Sequence, residues 1–256
     1  MTNKEILKIA MEQSALDLCA SAADFEKNEN VIVISAKSDS ARRYLKLPFS
    51  CQLVSYGNNI VASVSPEYYG LVEKYINSYP VEHCFETPNM HVLDKALALH
   101  GQKVCFMAEY FLPDLDRLCA VDCSYELRVM DKHELSSLYQ PKWSNALCEK
   151  RKELDILGVG AYDNGKLVGL AGCSADCESM WQIGIDVLPE YRRQGIASSL
   201  TSHLAIEILE RGKVPFYCAA WSNIKSVRNA IKSGFRPAWV ELTAKSLDTV
   251  EAMNGK

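Results

Sequence analysis

Ile185-Asp186-Val187-Leu188-Pro189-Glu190-Tyr191-Arg192-Arg193-Gln194-Gly195-Ile196-Ala197 is the stretch that decides the fold of the half of the chain in which it lies. An apolar run stops at Pro189 and a helical pattern starts at Gly195, so the stretch predicts a strand passing into a helix through a loop with a small residue at each tight position. At such a helix start the backbone N–H groups from Arg193 to Ala197 have no intrahelical partner. They point one way and sit at the positive end of the helix dipole, which suits a pyrophosphate. Bulk at Gly195 or Ala197 would hold a ligand off the backbone, and Arg192 or Arg193 can add charge-assisted contacts.

Working outward, the helix runs from Gly195 to Arg211 and is closed by Gly212. A strand follows over Val214 to Ala219, then a helix over Ile224 to Ser233 stopped by Gly234, and a last strand over Trp239 to Ala244. On the other side, Trp181 to Val187 is the strand entering the loop. Leu157 to Tyr162 and Lys166 to Cys173 flank Asp163-Asn164-Gly165, a hairpin turn. Before them, Tyr125 to Met130 reads as a strand, Asp131 to Tyr139 as a helix with Asp131 as N-cap and Glu134 three residues on, and Trp143 to Lys150 as a short second helix after Pro141. This order predicts a mixed α/β sheet with helices on both faces.

Arg192-x-x-Gly195-x-Ala197 after Val-Leu-Pro-Glu-Tyr, followed by Asn223-x-x-Ser226 on a helix ending in Gly234-Phe235, resembles the acyl-CoA-binding signatures of the GCN5-related N-acetyltransferase (GNAT) superfamily. The resemblance covers about half the chain and implies a mixed, mostly antiparallel sheet, acetyl-CoA as cofactor and a primary amine as acceptor. It implies that the backbone of Ile185 and Val187 meets the pantetheine arm, with the Val187 N–H polarising the thioester carbonyl. Arg192, Arg193, Gln194, Gly195, Ile196, Ala197 and Ser198 would form the pyrophosphate loop, and Asn223 and Ser226 would face the cofactor.

The chain departs from that pattern at the acid and the base. Seven residues after the Asn, where many members carry a tyrosine that protonates the leaving thiolate, stands Ala230. Ser226, Tyr217 or water then takes its place, or the thiolate leaves unassisted. The strand position at which some members carry a glutamate aligns near Trp181, and Glu178, the nearest acid before it, is the candidate base. Asp186, next to Val187, is expected on the opposite strand face. Trp143 and Asn145 lie where the family builds its acceptor pocket, although a tryptophan there also suits a core. Asn223 doubles as an N-cap, and Cys218 reads as a buried structural thiol.

The first half carries no signature of its own. A helix over Asn3 to Ala20, a strand over Val31 to Ile34, a hairpin from Cys51 to Val64 around Gly57-Asn58-Asn59, a helix from Ser65-Pro66-Glu67 to Ile76, a helix over Met90 to Leu99 and a strand over Val104 to Phe111 make a smaller α+β domain. The expected division is 1–115 and 124–256. Val64-Ser65-Pro66-Glu67-Tyr68-Tyr69 echoes Val187 to Arg192 without the arginine, so the first domain reads either as an accessory or as a degenerate acyltransferase-like unit.

At 256 residues the chain has length for two domains, and 48% hydrophobic with 23% charged residues is the balance of a globular protein with a substantial core. A net charge of -4 with no Lys/Arg stripe argues against nucleic-acid partners. No basic segment leads into an apolar run and none is long enough to span a bilayer, so the expectation is a cytoplasmic protein off the membrane. Ten cysteines, with Cys119/Cys123 and Cys173/Cys177 as CxxxC pairs and no histidine at finger-like spacing, read as reduced thiols, with no metal. The acceptor, a small-molecule or protein amine, and the oligomeric state, a homodimer included, are left open.

Overall fold

A computed structural model describes Met1–Gly255, and the chain divides into two compact units. One holds Met1–Ala10 with Tyr110–Pro237, and the other holds Met11–Glu109 with the chain from Ala238 onward. The expected division by a single cut between 115 and 124 therefore differs from the structure, in which the chain passes between units inside its first helix and inside two strands. The reason is pairing: the last strand spends its second half against the hairpin near residue 53, where a sequence-local boundary does not look.

The hairpin unit contains most of α1 (Asn3–Leu18), β1 (Val31–Ile34), β2 (Cys51–Ser55), β3 (Val61–Val64), α2 (Tyr69–Ile76), α3 (Thr87–Ala98) and the start of β4 (Gln102–Pro113). β2 and β3 pair antiparallel through the expected turn at Gly57, and β1 joins β3 in parallel from Val31↔Val61. Leu53, Ala62, Val72, Ile76, Leu93 and Leu97 form the core under α2 and α3. The hydroxyl of Ser65, expected to cap the helix, donates instead to Phe49 O.

The other face of this sheet carries charge. Arg42 is fully buried and reaches the Asp17 carboxylate at 2.6 Å and Glu241 at 3.8 Å, and Glu241 also accepts from Gln52 Nε2 and Trp239 Nε1. Removing the guanidinium strands two buried carboxylates. Arg42→Met is expected to cost about 3–5 kcal/mol in urea unfolding. A loss below about 1 kcal/mol would mean that water reaches the pair.

The other unit begins at the end of β4 and continues with β5 (Glu126–Asp131), α4 (Lys132–Leu135), β6 (Asp155–Asp163), β7 (Lys166–Ser174), β8 (Met180–Val187), α5 (Ile196–Glu210), β9 (Val214–Ala219) and α6 (Ile224–Lys232). β5, β6, β7 and β8 pair antiparallel in sequence order, and β9 joins β8 in parallel. β10 (Phe235–Ser246) then runs into the hairpin unit, where Leu242 faces Leu53, and α7 (Leu247–Met253) closes the described chain.

Leu200, Leu204 and Ile208 of α5 pack on Val159, Ala161, Ala171 and Ile183 on one face of this sheet. Leu135, Trp143, Ala146 and Leu147 pack around Leu170 on the opposite face. The mixed, mostly antiparallel architecture with helices on both faces is thus the one expected.

One expected helix is shorter than its pattern and another is missing. α4 has its capping box, Asp131 Oδ1 accepting from His133 N and Glu134 N and Glu134 Oε2 accepting from Asp131 N, yet it stops at Leu135. The hydroxyls of Ser136 and Ser137 donate to its last carbonyls, His133 O and Glu134 O, in competition with further turns. The helix expected over Trp143 to Lys150 does not form. Asn145 N and Ala146 N donate to Asp186 and Cys148 N to Asp155, so two carboxylates on the sheet take the amides that a helix needs.

Among the described residues no helix is long and apolar enough to cross a membrane, and no group of three or more His, Cys, Asp or Glu is placed to hold a metal. All ten cysteines are free.

Candidate functional site

β8 pairs with β9 only from Met180↔Val214 to Gln182↔Phe216, although both strands continue. The two separate from there, leaving an edge of β8 without a neighbour from Ile183 to Val187. Which backbone groups face that edge follows from alternation. Leu188 N donates to Val168 O of β7, and successive residues direct their N–H and C=O to opposite edges, so Val187, Ile185 and Ile183 direct theirs into the opening. Arg192 Nε donates to Val187 O at 3.0 Å, in accord with this.

The strand leaves through a 3-10 turn over Pro189–Tyr191 and reaches α5 through Arg192 to Gly195. Arg193 has φ +64° and Gly195 φ +84°, both left-handed, so the chain turns sharply at both residues. From Gln194 to Ser198 no backbone N–H has a hydrogen-bond partner among the described residues, and the first amide taken is Ser199 N, by Gly195 O at 3.1 Å. A Cβ built on Gly195 meets nothing within 4 Å. The cradle is open, lies at the N-terminus of a 15-residue helix and is shaped for an anionic group.

Asn223 is the N-cap of α6, its Oδ1 accepting from Ser226 N at 3.3 Å, and Ser226 Oγ lies 2.7 Å from Tyr217 Oη. Tyr217 follows the last β9 residue paired to β8, so this hydroxyl pair stands at the opening. Burial pushes the Tyr217 phenol above its ordinary value, with the Ser226 hydrogen bond acting the other way, and it stays protonated through neutral pH. Ala230 is fully buried and supplies no hydroxyl.

The loop residues Arg192 to Ser198, the strand residues Ile185 and Val187, and the first turn of α6 all belong to the unit that carries the motif. Glu178 does not join them. It lies exposed in the bend before β8, and Met180 to Val187 span roughly 23 Å of strand. No single proton transfer crosses that distance, so Glu178 is not the base that acts at Val187.

Asp186 lies on the opposite face of β8, as alternation predicts, and holds Asn145 through its backbone N–H at 2.8 Å and Nδ2 at 2.7 Å and Ala146 through its N–H at 2.9 Å. Trp143 is core, and Asn145 is exposed. Beneath them, Gly158, Gly172 and Gly184 sit side by side across β6, β7 and β8. A Cβ on Gly172 or Gly184 would overlap the carbonyl of Ala146 or Asn145. These three glycines are in plain view in the sequence, but their meaning depends on strand register, which no local pattern gives.

The echo in the other unit is real at one point only. β3 also leaves through a Pro-Glu-Tyr 3-10 turn, Pro66–Tyr68, but α2 begins at once with Tyr69 and no left-handed residue intervenes, so no anion loop forms.

Residues 88–238 match the model of the family described as GNAT acetyltransferase. Similar solved structures include a GCN5-related N-acetyltransferase-like protein from Streptococcus suis (19% identity, 62% of this chain, 69% of that one, TM-score 0.45). Another is an acetyltransferase from the GNAT family of Colwellia psychrerythraea (17% identity, 59% and 61%, TM-score 0.43). A third is yncA of Salmonella typhimurium, whose structure includes its cofactor acetyl-CoA (18% identity, 49% and 95%, TM-score 0.37). No curated protein matches the sequence.

Proposed function

The chain belongs to the GNAT acetyltransferase family, and on that premise we propose that it is an acetyl-CoA-dependent N-acetyltransferase that passes an acetyl group to a primary amine by direct attack. The observation that carries this reading is the adjacency, at the end of β8, of an open anion cradle and an unpaired strand edge. The cradle suits the pyrophosphate and the edge suits the amide-bearing pantetheine arm.

Bound acetyl-CoA supplies an acetyl thioester. Val187 N–H is placed to donate to the carbonyl oxygen as it gains charge, as a single fixed donor. The amine nitrogen bonds to the acetyl carbon, the carbon–sulfur bond breaks, and the sulfur takes a proton. With Tyr217 Oη donating to Ser226 Oγ, the Ser226 hydrogen is free to turn toward that sulfur. The ammonium proton leaves to solvent, since Glu178 is out of reach.

Calorimetric titration with acetyl-CoA tests the donor half, and an amine panel with free-thiol detection tests transfer. Ser226→Ala is expected to lower kcat by about tenfold to a hundredfold while the acetyl-CoA Kd moves by less than about threefold. An unchanged kcat would remove Ser226 from proton transfer.

The buried Ala230 and distant Glu178 favour one other reading, an acyl-CoA-binding sensor without turnover. Binding with no transfer to any amine in the panel would select it.

A further inference from the structure

Left-handed φ at a non-glycine residue costs about 1–2 kcal/mol, and such a conformation persists only where its surroundings hold it. Arg193 is in that conformation in a loop whose amides from Gln194 to Ser198 have no partner among the described residues, so contacts from outside that stretch must fix it. Arg192 Nε on Val187 O anchors its first residue. Ser198 Oγ donates to Gly195 O at its far end, and the long-range tie is at its centre: Tyr125 Oη donates to Gln194 Oε1 at 2.6 Å, across 69 positions of sequence.

Tyr125 is itself braced. Its ring meets Tyr191 edge-on at 5.7 Å, and Tyr191 Oη donates to Asp163 Oδ2 at 2.9 Å. The segment that delivers Tyr125 is fastened to α5, with Ser199 Oγ donating to Val121 O and Val121 N donating to Ser202 Oγ. The connector before β5 is therefore tied both to the helix behind the cradle and to the loop in front of it.

We infer that Tyr125 is a positioning residue for the donor site, holding Gln194 so that the loop amides are already aimed inward before the cofactor arrives. The inference rests on the acetyl-CoA reading above. Tyr125 acts through Gln194, and its removal leaves the cradle intact in composition but free to relax.

The test is a double-mutant cycle on acetyl-CoA binding, with wild type, Tyr125→Phe, Gln194→Ala and the pair titrated by calorimetry and melted without ligand. Each single variant is expected to weaken Kd by roughly threefold to tenfold. The pair should be no weaker than the worse single variant, with unliganded melting temperatures unchanged. Losses that multiply, a Tyr125→Phe variant that binds like wild type, or weaker binding that merely tracks a lower melting temperature would each overturn the positioning role. A wild type that does not bind acetyl-CoA would overturn the donor reading, and this inference with it. In that case all four proteins would behave alike, which separates the two failures.

Discussion

Gly195→Glu is expected to abolish measurable acetyl-CoA binding in a protein that still folds. The position combines two demands that glycine alone meets. Its φ of +84° is left-handed, so any side chain costs about 1–2 kcal/mol in the folded state. That is a fraction of a normal stability, and the Cβ of a new residue meets open space instead of protein, so no clash adds to it. The open space is what the ligand needs. A carboxylate there would stand at the N-terminus of α5, take the unpaired amides of Ile196 to Ser198 for itself and repel the pyrophosphate. Losing those hydrogen bonds and the favourable end of the helix together should weaken binding by at least about a hundredfold. Calorimetry reads the affinity and circular dichroism the fold. A variant that binds within a few-fold of wild type would mean that the cradle is not where the donor sits, and the functional reading would lose its support.

That experiment is legible in the sequence because the features it uses are local. The motif from Arg192 to Ala197 is contiguous and its glycine marks the left-handed turn, and the turn at Asp163-Asn164-Gly165 and the box of Asp131 with Glu134 are equally short-range. The parts that misled are long-range. Trp143 to Lys150 has a helical pattern, but its backbone amides at Asn145 and Cys148 are claimed by Asp186 and Asp155 from the sheet, 41 and 7 positions away. Glu178 looks close to the site in number and is a strand length from it in space. The partner of Gln194 is 69 residues upstream. Tyr217 is one of the substitutes the sequence offers for the missing acid, and it lies against another of them, Ser226. In each case the sequence supplies the residue, and the register supplies its neighbour.

The same logic makes Gly184→Ala the sharpest probe of the opposite face of β8. One methyl group would fall within contact of the Asn145 carbonyl oxygen, and that backbone cannot simply lift, since Asp186 grips the amides of Asn145 and Ala146 on the same strand. Either the 144–147 segment leaves the sheet, breaking three hydrogen bonds to a carboxylate, or β8 bends away. Overpacking of this kind costs typically about 1–3 kcal/mol, and the rigid neighbour places this position at the upper end. Urea unfolding should show that loss. The acetyl-CoA Kd should move by less than about threefold, because Val187 and Ile185 present their backbone groups at the strand edge, away from the face on which Asn145 lies. If the amine approaches from the side that Asn145 and Ala146 wall, as the family resemblance implies, acetyl transfer should nevertheless fall. A variant that keeps full transfer despite the lost stability would show that this wall shapes no acceptor, and a variant that loses acetyl-CoA as well would show that the two faces of β8 are not independent.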